Sequence, residues 1–270
     1  MPRKYSRRRR SSKSSTKRRK SKKMRGGVTV KAQDLKTRLP EDMFREIREM
    51  HPLLTPKLTN ATIRRAVRDY LHGGAGKQRV VTKYGEISNW DTSRVTNMGS
   101  MFRNAMFFNQ PLNNWNVSNV TDIRFMFKDA SSFNQPLNNW DVSKVTSMHG
   151  MFCSARSFNK PLNNWNVSNV TDMRGMFWGA RSFNKPLNNW NVSNVTNMDD
   201  MFYGARSFNQ PLNNWNVSNV KYMSYMFQDA ISFNQPLNKW DVSNVEDMYR
   251  MFDAATSFDQ PLHAPWYWYS

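Results

Sequence analysis

Among 270 residues the chain has one cysteine, Cys153, so no disulfide can form within it and packing alone must hold its core. Histidine is nearly as scarce. His51, His72, His149 and His263 have no metal-ligand spacing to one another or to Cys153, so neither a metal nor another cofactor is expected. No apolar run is long enough to cross a bilayer. The N-terminus is basic but has no apolar stretch behind it, so no signal peptide for classical secretion is expected. No Ser-His-Asp or Cys-His arrangement can be placed, which argues against an enzyme.

The charge that is present is unevenly spread. Residues 1–27 carry 14 basic residues and no acid, residues 28–84 carry 12 basic and 6 acidic, and residues 85–270 carry 14 of each. The formal charge of +20 therefore belongs to the front of the chain. Residues 1–27 form a low-complexity Arg/Lys/Ser tail, densest at Arg7, Arg8, Arg9, Arg10, Lys17, Arg18, Arg19, Lys20, Lys22 and Lys23. With little to bury and like charges repelling, it is expected to be disordered alone. Its expected role is nucleic-acid binding, which needs dense charge and no fold, or an address for nuclear import or virion packaging. Gly26-Gly27 is a candidate processing site.

Residues 28–85 read as a helical cap and lead-in. "LPEDMFREIREMHP" (39–52) places Phe44, Ile47 and Met50 on one helical face, and Pro52 ends it. "TNATIRRAVRDYLHGG" (59–74) predicts a second helix, with Thr59 or Asn60 as N-cap and Gly73 as the stop. "LHGGAGKQ" (71–78) lacks the first Gly and the Ser/Thr of a phosphate-binding loop and reads as helix stop and linker.

From there a 25-residue period dominates. Trp90, Trp115, Trp140, Trp165, Trp190, Trp215 and Trp240 recur at that spacing, in seven copies between residues 86 and 262. Within one copy, Val170, Met173, Met176, Phe177, Ala180 and Phe183 stand at steps of three and four, which predicts a helix capped by Ser168 or Asn169. Asp122, Asp172 and Asp247 then fall in its first turn. Leu162 to Trp165 is the candidate short strand. A single copy cannot cover its own apolar residues, so the copies must stack into one continuous core, with asparagines bonding from coil to coil. The expected fold is an α/β repeat solenoid of leucine-rich-repeat type: seven 25-residue coils of short strand plus short helix behind an N-terminal helical cap. "APWYWYS" (264–270) breaks the register, and residues 263–270 are expected to form an aromatic C-terminal cap.

The repeat, for example "WNVSNVTDMRGMFWGARSFNKPL" (165–187), and the lead-in "LTNATIRRAVRDYL" with "KYGEISNWDTSRVTNM" resemble the BspA-like leucine-rich-repeat surface proteins, a family also known from mycoplasma lipoproteins. The likeness covers about residues 58 to 262. It implies a leucine-rich-repeat type solenoid, adhesion or protein binding, and no catalytic residues. The basic tail without a secretion signal looks like the form found in large DNA viruses, which implies a virion or host-cell interior location, the nucleus included.

Internal comparison of the copies marks candidate recognition residues. Positions where all copies agree are dictated by the core, and those that vary are free to recognise a partner. Two variable positions point away from the apolar stripe: Ser100, Phe125, Gly150, Gly175, Asp200, Tyr225 and Arg250 in one series, and Arg103, Lys128, Cys153, Trp178, Tyr203, Gln228 and Asp253 in the other. Phe125, Trp178, Tyr203 and Tyr225 are aromatic where the core does not require it, and stand as candidate protein-binding anchors on one face. Arg156, Arg181 and Arg206 follow Ala in three consecutive copies and should stack one coil apart. The expected function is non-enzymatic protein binding with a tail for nucleic acid or targeting. The alternative is a nucleic-acid-binding virion or nuclear protein whose repeat array is only a body.

Overall fold

The structure is a computed structural model and describes residues 55–261, all within one of the two units into which the chain divides, Pro40–Ser270. The basic tail, the helix expected at 39–52 and the cap expected at 263–270 lie outside the described residues.

Two helices open the described chain. α1, Asn60–His72, starts where the Thr62 hydroxyl accepts the Thr59 N–H at 2.9 Å, and buries Ile63, Ala66, Val67 and Tyr70. It stops at Gly73, whose φ of +73° a residue with a Cβ adopts only at a cost. The stretch read as a linker is instead a second helix, α2, Gly74–Tyr84, which buries Val80 and Tyr84. Tyr70 and Tyr84 close on Trp90 at centroid distances of 5.9 and 6.0 Å, so the pair covers the first tryptophan of the array. Asn60 fastens α1 to the first coil: its Oδ1 accepts the N–H groups of Thr96 and Asn97 at 2.9 and 3.1 Å.

Beyond a 3₁₀ turn at Ile87–Asn89, the 25-residue copies stack as coils, here numbered 1 to 7 from Trp90 to Trp240. They contain neither helix nor strand among the described residues, which overturns the α/β leucine-rich-repeat solenoid. Each coil is a succession of tight turns, joined to the next by a single-residue parallel bridge, the series Asn97, Asp122, Ser147, Asp172, Asn197, Tyr222, Asp247.

The reason lies in where the backbone donors go. In coil 4 the N–H groups of Met176, Trp178 and Ala180 bond three residues back, to Met173, Gly175 and Phe177. The alternate donors, on Met173, Gly175, Phe177 and Gly179, point to the carbonyls of Asn197, Asp199, Met201 and Tyr203 in coil 5. A helix would direct all of them four residues back along its own axis. Two residues per coil are also left-handed, Gly175 at φ +53° and Gly179 at +63°, and equivalent residues elsewhere include Phe125 at +56° and Tyr225 at +58°. A right-handed helix cannot pass through them. The expected strand fails likewise, because Leu162 accepts the Trp165 N–H at 3.0 Å and closes a turn. Asp122, Asp172 and Asp247 consequently sit at no helix start. Each accepts the N–H two residues ahead, on Arg124, Arg174 and Tyr249, at 3.1, 3.1 and 2.8 Å.

Inside the stack the residue types form columns. Phe127, Phe152, Phe177, Phe202 and Phe227 lie nearly parallel at 5.6–5.7 Å, and a second ladder, Phe133 to Phe233, repeats at 6.0–6.1 Å. The seven tryptophans are 2–5% exposed. From Trp115 onward each indole N–H donates to a carbonyl 28 residues earlier, as Trp165 Nε1 does to Leu137 at 2.9 Å. The asparagines bond from coil to coil: Asn134 Oδ1 accepts the Asn159 N–H, and Asn159 Oδ1 that of Asn184, at 3.0 and 3.1 Å.

One left-handed position gives a direct test of this geometry. Gly150 has φ +58°, and a Cβ there would meet the Phe125 ring at 2.5 Å. Gly150→Ala is expected to cost about 2 kcal/mol, part for the backbone and part for displacing the ring. Gly175→Ala, where the nearest atom is 3.7 Å away, should cost about 1 kcal/mol. Denaturant melts would read both. In a Phe125→Ser background the difference should shrink, and an undiminished difference would show that the ring is not the obstacle.

Candidate interaction surface

The outward aromatics divide into separate contact groups. Trp178 of coil 4 and Tyr203 of coil 5 stack at 5.6 Å and 22°, with Trp178 38% exposed and Tyr203 half-buried. Both follow the inward Phe of their coil, and the intervening turns hold the two side chains in register one coil apart. They form a continuous aromatic plate on the outside of the stack.

Phe125 and Tyr225 are differently engaged. Their left-handed backbones throw the side chains across to the following coil. Phe125 lies over Gly150 with its ring 4.4 Å from that of His149, and Tyr225 meets Tyr249 edge-on at 5.4 Å. Phe125 stands in coil 2 and Tyr225 in coil 6, so the structure does not bring them to the Trp178–Tyr203 pair or to each other. The sequence reading missed Tyr249, which is 51% exposed, and Phe107, at 92%. Internal comparison held the signal for Phe107. Coil 1 has Met106-Phe107 where other coils have a pair ending in Ser, such as Arg181-Ser182. With Leu71 and His72 at the end of α1, Met106 and Phe107 line a cleft of about 480 Å³.

Five ion pairs occur among the described residues, three of them within a coil. Arg124 hydrogen-bonds Asp122 at 3.0 Å and holds its carboxyl below the usual range against the opposing effect of burial. Burial would raise Asp172, yet the hydrogen bonds of Arg174 keep it low too. Burial prevails at Asp199 and Asp200, whose carboxyls are pushed up, Asp200 further by the charge of Asp199. Burial likewise lowers His149 and raises the Cys153 thiol, which keeps that sulfur from acting as a thiolate nucleophile. Arg156, Arg181 and Arg206 are exposed, one per coil in coils 3 to 5. Among the described residues no three His, Cys, Asp or Glu side chains are grouped so as to hold a metal ion. The ten basic residues singled out in the tail lie outside the described residues.

Among the described residues no helix is long and apolar enough to cross a membrane. No curated protein and no solved structure matches the chain. A family model does match, in two overlapping segments, residues 76–190 and 182–267, which together take in most of α2 and all the coils. On that match the chain belongs to the repeat family described as "Mycoplasma protein of unknown function, DUF285".

Proposed function

We propose that this protein is a non-enzymatic binder whose stacked coils present a docking surface to a protein partner. One observation carries the reading: the outward Trp178–Tyr203 stack, in which Trp178 is exposed and Tyr203 half-buried. The core does not require aromatics there, since the equivalent residues are Arg103, Lys128, Cys153, Gln228 and Asp253. Rigid aromatic anchors with a polar edge are the residues most enriched at interface hot spots. The resemblance of the repeats to BspA-like surface proteins supports the same reading. The viral form they resemble supports action in the virion or the host-cell interior, the nucleus included. The alternative, a nucleic-acid-binding body with a basic tail, is supported by the tail's charge alone.

A pull-down from host or virion lysate tests the aromatic surface. Replacing Phe125, Trp178, Tyr203 and Tyr225 together by Ser should abolish recovery of the specific partners. The Trp178/Tyr203 pair alone should produce most of that loss, about 2 kcal/mol or more per anchor. Thermal melts must first show that the pair variant folds as the wild type does. Unchanged partners on a folded pair variant would place recognition elsewhere.

A further inference from the structure

Coils 3 to 5 differ from the rest at one exposed position, and coils 3 and 4 at a second, half-buried one. After the buried alanine, coils 1, 2, 6 and 7 carry Met106, Ser131, Ile231 and Thr256, whereas coils 3, 4 and 5 carry Arg156, Arg181 and Arg206. Four residues further on, Gln135, Gln210, Gln235 and Gln260 each donate to an asparagine oxygen of the preceding coil, at 2.8–3.1 Å. In coils 3 and 4 that glutamine is replaced by Lys160 and Lys185, neither of which makes such a bond among the described residues. A structural hydrogen bond is thus exchanged for a cation in two of the three coils that carry the arginines.

The five cations form a grid. Ser182 donates to the Arg156 carbonyl and Ser207 to that of Arg181, both at 3.2 Å, which sets the arginine backbones one coil apart. That spacing is about 5 Å per coil. No carboxylate among the described residues lies within ion-pair distance of any of the five. Like charges rooted this close repel one another to the extent that solvent does not screen them.

We propose that this grid, beside the Trp178–Tyr203 plate, docks a short acidic segment of a protein partner. The proposal rests on the protein-binding reading above and names the chemistry of the partner. Trp178 and Tyr203 stand three residues before Arg181 and Arg206 in the same coils, so one segment laid along coils 4 and 5 can reach both the anchors and the cations. The guanidinium fork matches a carboxylate with two parallel hydrogen bonds. The finite extent of the grid decides between a protein segment and a long polyanion. Coil 2 carries Asp129 and coil 6 carries Asp229, each two residues before the position that the arginines occupy in coils 3 to 5. A phosphate backbone running along the stack would leave the cations after three coils and meet those carboxylates. An acidic segment a few residues long would not.

The test uses full-length chains in which the Lys and Arg of residues 1–27 are replaced by Ser, so that the tail's own attraction is absent. In one of them the grid is rewritten with the residues the molecule itself uses in coil 2: Arg156→Ser, Arg181→Ser, Arg206→Ser, Lys160→Gln and Lys185→Gln. Both chains should melt alike. A labelled hexaglutamate peptide should bind the parent at physiological salt, and the rewritten chain about tenfold or more weaker. Equal binding by the two, or no binding by the parent, overturns the proposal. Tighter binding of an oligothymidylate of equal charge, lost in the rewritten chain, overturns it in favour of nucleic acid. If lysate partners depend on Trp178 and Tyr203 but survive rewriting of the grid, the aromatic surface stands and the acidic partner falls.

Discussion

Trp165→Ala is expected to destabilise the protein by about 3–5 kcal/mol, the range for removing a large aromatic from a packed core. Trp165 is 3% exposed, lies parallel to Trp140 at 6.5 Å and stacks on Phe152 at 6.3 Å. Coils above and below are tied to their neighbours by backbone bonds, so they cannot collapse into the space the ring leaves. The substitution also removes one of the two donors to the Leu137 carbonyl, the indole N–H at 2.9 Å, and leaves it the Trp140 N–H at 3.0 Å. Losing one of two bonds to a carbonyl costs about 0.5–1.5 kcal/mol, so Trp165→Phe should still lose about that much, besides what the smaller ring forfeits in packing. In a chain this long the Trp165→Ala loss corresponds to a melting shift on the order of 10 °C. Because each coil touches only its neighbours, a weakened middle coil should also broaden the transition as the two ends unfold separately. Melts followed by circular dichroism read both effects. A variant melting within a degree of the wild type would sink the picture of a shared core.

The sequence made much of this stack legible because a 25-residue period fixes register without reference to local conformation. Residues at the Trp, Leu, Val, Met, Ala and Phe positions of the middle coils are buried, down to the Asn159–Asn184 pairing that the turn-rich spacing suggested. Local conformation was not legible from the same pattern. Apolar residues three apart fit a helix, but they equally fit consecutive turns that bond every third residue, as from Met173 to Ala180. The discriminating signal is the recurrence of Gly150, Gly175, Gly179 and Gly204 at two fixed positions of an otherwise helical pattern. Phe125, Asp129, Tyr225 and Asp229 at the same positions obscured it, because left-handed backbone is rare in such residues. α2 was hidden for a similar reason. "GGAGK" reads as a break, and the helix persists because Val80 and Tyr84 bury against the core.

The candidate surface was legible where it depended on the period and illegible where it depended on backbone handedness. Trp178 and Tyr203 are equivalent residues of adjacent coils on right-handed backbone, so stacking follows from the repeat alone. Phe125 and Tyr225 belong to the left-handed series, and their rings, half-buried like that of Tyr203, pack over the following coil. The same handedness explains why Gly150 faces Phe125 so closely, a pairing between coils that composition does not reveal.

Duplex-DNA affinity is expected to reside in residues 1–27 and to collapse with salt. That segment has 14 basic residues and no acid, while residues 85–270 carry 14 of each sign. Cations that neutralise phosphates release condensed counterions, so affinity falls steeply and linearly on logarithmic axes as salt rises. If only six to ten of the tail's charges engage, the full-length chain should lose about 10³–10⁵ in affinity between 50 and 200 mM salt. A chain beginning at Val28 should bind duplex DNA weakly throughout that range. Its cations lie in smaller groups, such as six on α1 and α2 beside Asp69 and the five of the grid in coils 3 to 5, flanked by Asp129 and Asp229. Neither group spans enough phosphates to hold a duplex tightly. Fluorescence anisotropy of a labelled duplex, measured for both chains across the salt series, separates the cases. Equal affinity of the two chains would remove nucleic acid from the tail's roles, leaving import or packaging as its purpose. A shallow salt slope for the full-length chain would mean that few of the 14 cations reach the phosphates at once.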